Sequence, residues 1–217
     1  MSKSGKEIDE HFRYPNGTLK NKMDILDAKT LHSYEYMISA IWGTKLLNSK
    51  KKIPTNTIDD LCKIHKFMFG RIYDWAGKTR DQGEYAFDTS KNGHDFLPVS
   101  MFSNAVPYIN EELKNLNNNK KPSPKEYAQV LVDLNDLHPF REGNGRATKI
   151  FMSALAHNHG QELTYDRKQE KMIEGLDNLD AEQVAKTLTI TPWKQSQKQA
   201  AKEKNTKKPI WSFSFLK

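Results

Sequence analysis

The sequence predicts an all-α, mainly helical fold with one short β-hairpin. Three observations lead there: apolar residues recur at helical spacing through successive segments, a complete helix-start signal stands at Ser123, and Asn92-Gly93 separates two short runs suited to strands.

From Asp27 to Asn48 the residues Leu31, Tyr34, Met37, Ile38, Ile41, Leu46 and Leu47 recur at mostly helical spacing behind a cap at Asp27. A second helix follows Pro54 and Thr55, its stripe made by Ile58, Leu61, Ile64, His65, Met68 and Phe69, until Gly77 in IYDWAGKTR breaks the pattern. Residues 80 to 97 read as the hairpin, with Tyr85 and Phe87 alternating before an Asn-Gly pair that tolerates the positive φ of a tight turn. Helical spacing returns from Ser100 to Leu116. After the polar linker NNNKKPSP, Ser123 can cap, Pro124 suits the first helical position and Glu126 completes a capping box. That helix carries Tyr127, Val130, Leu131, Leu134 and Leu137 and runs into His138. RATKIFMSALAHNHG reads as a helix ending at Gly160; it is apolar on nearly all sides and is therefore expected at the centre. Shorter helices near 166–176 and 180–190 complete one domain over residues 1–193, followed by a basic tail at 194–217.

A hydrophobic share of 36% is modest, but aromatics at 10%, spread along the chain, support a packed core rather than disorder. The single cysteine, Cys62, excludes an internal disulfide, and no apolar run approaches the ~20 residues that span a bilayer. The charged opening MSKSGKEIDEHF lacks the apolar centre of a secretory signal. The expectation is a soluble cytoplasmic protein with no membrane partner. A formal net charge of +7 suits an anionic ligand, yet much of the excess lies in KQSQKQAAKEKNTKK, which reads as a solvated surface tail more than a nucleic-acid arm. In the closing PIWSFSFLK, Trp211, Phe213, Phe215 and Leu216 would dock on the body or on a partner.

The chemistry concentrates in HPFREGNGR, residues 138 to 146. Glycine and asparagine between two helices let backbone N–H groups converge, and the second helix, beginning at about Asn144 to Arg146, aims the positive end of its dipole at the loop. A phosphate fits there. Arg146 in the first helical turn can reach a second phosphate; as a mere surface arginine it would sit at the dipole's unfavourable end. Glu142 suits that helix end, and beside a polyphosphate it would serve as a magnesium ligand. His138, at the end of a buried helix, has the position of a core histidine, but it is also placed to accept a proton from an attacking hydroxyl. Phe140 is expected to turn inward and anchor the loop. A Walker loop and a dinucleotide fingerprint both fail on spacing, and His157 and His159, two apart on a helix, form no convincing zinc set with the distant cysteine.

HPFREGNGR resembles the signature of Fic-domain proteins, H-x-F-x-[D/E]-G-N-G-R, at every fixed position, and the resemblance extends over about residues 10 to 190 through YPNGTLKNKMDI, IYDWAGKTR and the hairpin before FLPVSMF. It implies transfer of AMP from ATP to a hydroxyl side chain of a target protein, with His138 as general base and Glu142 as the Mg2+-binding carboxylate. It further implies Gly143, Asn144 and Gly145 as the anion cradle and Arg146 as the phosphate clamp. The hairpin resembles the flap that holds the target by strand addition, here Glu84, Tyr85, Ala86, Phe87, Asp88, Thr89, Ser90 and Lys91. Many members carry a second arginine where this chain has Lys149, which keeps the charge but loses the bidentate fork, so handling of the terminal phosphate is expected to be altered. No [S/T]-x-x-x-E-[G/N] inhibitory motif is found. YPNGTLKNK is similar to the toxin class restrained by a separate small antitoxin, whose members adenylylate the ATPase subunits of DNA gyrase and topoisomerase IV. Two alternatives stand beside this: a Doc-like phosphotransferase, against which Gly145 argues because Doc-like motifs carry lysine there, and a nucleic-acid or protein binding module.

Overall fold

The computed structural model describes residues 3–49, 51–82, 85–91, 93–166 and 170–193. Glu84, Asn92 and the expected tail at 194–217 with its aromatic end lie outside them. The elements in order are α1 (Gly5–Phe12), α2 (Ala28–Leu47), α3 (Ile58–Phe69), β1 (Ser90–Lys91), β2 (His94–Asp95), a 3-10 turn (Val99–Met101), α4 (Phe102–Asn118), α5 (Pro124–Leu137), α6 (Asn144–Asn158), β3 (Gln161–Tyr165), α7 (Glu170–Asp177), α8 (Ala181–Ala185) and β4 (Leu188–Pro192). The mainly helical body with a short hairpin matches the sequence expectation.

Local chemistry explains the helix ends. The Asp27 carboxylate accepts the Thr30 N–H and opens α2. Ser123 and Glu126 form the reciprocal capping box of α5 with Pro124 just inside it. Gly160, at φ 67°, stops α6 where a left-handed residue is needed. A second capping box, Ser4 with Glu7, opens α1, a helix the sequence reading did not anticipate.

The core lies where α6 packs against α2, α3 and α5, with α4, α7 and α8 against α5. Ala147, Phe151, Met152 and Leu155 of α6 are buried, as a central helix requires. The α3 stripe from Ile58 to Phe69 is buried as expected, and each such apolar side chain contributes about 1.5–3 kcal/mol on leaving water. On α2, Leu31 is buried and Tyr34, Ile38 and Leu46 pack on the core as expected, but two of the apolar residues read there do not. Met37 and Ile41 are 51% and 53% exposed, and the buried stripe is Leu31, Glu35, Ser39 and Gly43, four residues apart. Two of these are polar because they serve the site described below. At Gly43 the Ile150 side chain of α6 comes close: a Cβ would lie 2.9 Å from its Cδ1, so Ile150 would have to shift to admit one.

The hairpin pairs Ser90 with Asp95 and Lys91 with His94. A second antiparallel pair, β3 with β4, was not expected: residues 188–192 form a strand against 161–165 instead of extending the helix read over 180–190. Thr189, Ile190 and Thr191 favour extended backbone, and pairing with β3 gives their backbone groups partners. Among the described residues, no helix is long and apolar enough to cross a membrane.

Candidate active site

The loop from His138 to Gly143 joins α5 to α6, and its shape is set by buried polar side chains. Phe140 is fully buried, and the Asn144 amide closes the loop by accepting the Phe140 N–H at 2.7 Å and donating to the Phe140 carbonyl at 2.6 Å. The Asn144 side chain is thus a loop clamp, and only its backbone N–H is left for a ligand. Behind the loop lies His65 of α3, with no exposed surface, stacked on the Phe140 ring at 3.8 Å. Its Nδ1 accepts the Gly77 N–H at 2.9 Å, so Nε2 carries the proton and donates to the Glu142 carbonyl at 2.9 Å. Burial pushes the His65 pKa down to about 3, which keeps this tautomer neutral.

His138 adopts a left-handed φ of 41°, unusual for a non-glycine residue. Its carbonyl accepts from Arg80 Nε at 2.9 Å and its ring stacks on Phe96, beside the flap, at 3.6 Å. Nδ1 lies 3.3 Å from the Asn135 carbonyl; a carbonyl only accepts, so Nδ1 donates and Nε2 of the neutral ring is a proton acceptor. Burial first, then the positive charges of Arg80, Lys91 and His94, push its pKa down to about 3, against the opposing Asn135 bond.

At the other end of the loop, the first intrahelical bond of α6 runs from the Ala147 N–H to the Gly143 carbonyl at 3.0 Å. The N–H groups of Asn144, Gly145 and Arg146 precede it and form the anion-attracting end of the helix. Gly143, at φ 82°, turns the chain into α6 against the Phe69 ring; a Cβ there would come within 2.5 Å of that ring. The Glu142 carboxylate accepts the Gly143 N–H at 2.8 Å and Arg146 Nη2 at 3.2 Å, while its side chain is 47% exposed. Arg146 is held by the buried Glu35 carboxylate and, at 3.2 Å, by Ser39, with its guanidinium over the Phe69 ring. Glu35 also accepts the Tyr73 hydroxyl, whose pKa burial and the neighbouring carboxylate raise. Lys149, one turn further, places its ammonium 5.2 Å from the Tyr165 ring centre on β3, where local desolvation lowers its pKa.

Among the described residues no three His, Cys, Asp or Glu side chains converge on a cation position. One exposed carboxylate, Glu142, fits a magnesium ion whose remaining ligands are phosphate oxygens and water.

The flap residues divide. Ser90 and Lys91 form β1, but Tyr85 and Phe87, expected to alternate in a strand, instead pack on α1. The Tyr85 ring stacks on His11 at 3.7 Å, and Phe87 meets Phe12 edge-on with the Arg141 guanidinium over both Phe rings. Asp88 accepts the Val99 N–H at 2.7 Å and the Thr89 carbonyl the Phe96 N–H at 3.1 Å; Ala86 is half-buried. Sequence reasoning missed Glu35, Ser39, Tyr73 and Arg80, and it placed His65 only as a core residue. The one available signal was the four-residue spacing of Glu35, Ser39 and Gly43.

Residues 55–156 match the family model described as the Fic/DOC family. This chain carries a Fic/DOC family domain. It is 31% identical over 163 residues to the protein adenylyltransferase VbhT of Bartonella schoenbuchensis, an alignment that covers 71% of this chain and 32% of that protein. The chain thus spans about a third of the length of the first curated relatives it matches. Two crystal structures share the fold. The N-terminal Fic domain of a VirB-translocated effector from Bartonella quintana with bound ADP has a TM-score of 0.75 at 24% identity, covering 87% of this chain and 98% of that one. The BepC protein of Bartonella tribocorum with bound AMPPNP has a TM-score of 0.71 at 23% identity, covering 85% and 99%. The Fic domain model begins in the turn before α3 and ends inside α6, so the Glu35 that holds Arg146 lies outside the matched segment.

Proposed function

We propose that this chain is a protein adenylyltransferase that transfers AMP from ATP to a hydroxyl side chain of a target protein. One observation carries the reading: the Nε2 of a neutral His138 is left as a proton acceptor in the same short loop that leads to the unpaired N–H groups at the start of α6. Supporting it are relatives named protein adenylyltransferase and fold neighbours whose structures hold AMPPNP or ADP.

The triphosphate rests on the N–H groups of Asn144, Gly145 and Arg146, and Arg146 adds a fixed charge. Glu142 would hold a magnesium ion, which would offset phosphate charge. The target hydroxyl oxygen attacks the α-phosphorus and forms a new P–O bond. The bond from that phosphorus to the α–β bridging oxygen breaks, pyrophosphate leaves with the electron pair, and the hydroxyl proton passes to His138 Nε2. The triphosphate's negative charge beside the ring favours the imidazolium and raises its basicity when the proton moves. Target residues reach His138 by adding a strand to the flap.

The same reading extends to biology: a cytoplasmic toxin acting on the ATPase subunit of DNA gyrase or topoisomerase IV, restrained by a small antitoxin. The test incubates wild type, His138→Ala and Glu142→Gln with magnesium and purified topoisomerase subunits, using α-labelled and γ-labelled ATP in parallel. Label entering protein from the α position only, and lost in His138→Ala, is expected. Label from the γ position only would replace the reading with a phosphotransferase.

A further inference from the structure

Arg80 is the one residue that touches both the flap and the start of the site loop through main-chain and side-chain bonds at once, among the hydrogen bonds of the described residues. Its side chain has no exposed surface. Nε donates to the His138 carbonyl at 2.9 Å and Nη1 to the Phe87 carbonyl at 3.2 Å. Nη2 donates to the Leu97 carbonyl and, at 3.1 Å, to the Leu137 carbonyl. The Arg80 N–H donates to the Pro139 carbonyl at 2.7 Å, while its own carbonyl accepts the Phe87 N–H at 3.1 Å. Asp88, on the exposed rim, supplies the countercharge at 3.5 Å.

These acceptors are not scattered. Phe87 and Leu97 are the two feet of the flap, before β1 and after β2, and residues 137–139 open the site loop. The Leu97 N–H adds a bond to the Asp136 carbonyl at 2.9 Å, and the Phe96 ring lies against His138. One planar cation therefore ties both feet of the flap to the backbone of the histidine. It also explains how His138 keeps its left-handed φ, since a sparsely populated conformation persists where surrounding bonds over-determine it.

We propose that Arg80 is a positioning residue that sets the register between a target strand docked on the flap and the His138 imidazole. The inference rests on the adenylyltransferase reading. A strand advances about 3.3 Å per residue and turns its side chains over at each step. A slip of one residue would thus carry the acceptor hydroxyl out of hydrogen-bond reach of Nε2 and turn it to the other face. Main-chain pairing on the flap is tolerant of sequence, so the fixed flap-to-histidine distance selects which hydroxyl is modified.

The test uses the full chain with Arg80→Lys, which keeps a cation but presents three donors from one point and cannot span acceptors on both sides. Asp88→Asn is a milder variant: it keeps an oxygen for the Val99 N–H and removes the countercharge. Amide hydrogen exchange is measured on both, with His138→Ala alongside. In Arg80→Lys, segments 86–91, 93–97 and 137–140 are expected to lose protection together while α3 and α5 keep theirs; Asp88→Asn should move the same segments less, and His138→Ala should leave the flap protected. In transfer assays, kcat should fall by about a hundredfold with the KM for ATP unchanged, and mass spectrometry should find AMP on neighbouring hydroxyls of the target. Loosening of the flap with 137–140 unchanged would overturn the proposal, as would a loss confined to the KM for ATP. If wild type transfers no AMP, the functional reading fails instead, and the exchange pattern by itself decides whether Arg80 couples the two segments. If Arg80→Lys does not fold, the exchange pattern in Asp88→Asn decides in the same way.

Discussion

The Glu35 carboxylate on α2 holds the Arg146 guanidinium on α6, two residues 111 positions apart in the chain, with side chains only 5% and 22% exposed. Glu35 thereby neutralises a cation at the end of α6 where phosphate is expected. Replacing it with glutamine keeps the volume and a partner for Tyr73 but removes the charge. Glu35→Gln should lower stability by about 1–2 kcal/mol, because the partly buried Arg146 loses one of its two carboxylates and keeps only the more exposed Glu142. It should also tighten ATP binding roughly fivefold, about 1 kcal/mol, because Arg146 is released toward phosphate. Chemical denaturation and calorimetric titration with ATP read the two effects; weaker ATP binding would show that Glu35 holds Arg146 in its binding pose.

Stability should fall on mild acidification. His65 and His138 have folded pKa values near about 3, against about 6.5 for an unfolded histidine. Between those values the unfolded chain binds the extra protons, so the stabilisation is complete above pH ~6.5 and is lost as pH falls toward ~3. Each histidine adds a slope of up to about 1.4 kcal/mol per pH unit in that window. Denaturation midpoints from pH 7.5 to 4.5 should drop steadily for wild type and less steeply for His65→Gln. Parallel profiles would show that His65 is protonated in the folded protein.

Gly143 is constrained twice, by its φ of 82° and by the Phe69 ring. Gly143→Ala should therefore cost about 2–4 kcal/mol, combining left-handed strain with overpacking. Adding Phe69→Leu should recover the overpacking part only. Thermal melts of the single and double variants test this; no recovery in the double variant would place the whole cost in the backbone.

Lys149→Arg should restore a fork one turn beyond Arg146. The KM for ATP is expected to fall by a few fold with little change in melting temperature, since the Lys149 ammonium sits against the Tyr165 ring, a face that a guanidinium can also cover. An unchanged KM would mean that this position does not meet the terminal phosphate.

What could be read ahead of the structure was local. Ser123, Pro124 and Glu126 announce α5 because a capping box closes within four residues, and Gly143 announces the start of α6 because a glycine readily takes the left-handed turn that opens it. The β3–β4 pair escaped because its partners lie 23 or more residues apart, as between Tyr165 and Leu188, and neither strand is marked by a turn of its own. On α2, counting apolar residues placed Leu31, Tyr34, Ile38 and Leu46 at the core correctly but also took in the exposed Met37 and Ile41 and passed over Glu35 and Ser39, whose partners sit on α6 and in the turn after α3.

The helical body, the hairpin and the nine-residue loop with its histidine, carboxylate, glycines and arginine are written in the order of residues along the chain, since they depend on backbone preferences and contacts between near neighbours. What holds them in place comes from packing in three dimensions: Glu35 on Arg146, His65 under Glu142, and Arg80 between the flap and His138. A buried charge or imidazole must find partners wherever the fold brings them, and those partners, 58 to 111 residues away, leave no mark in the local pattern.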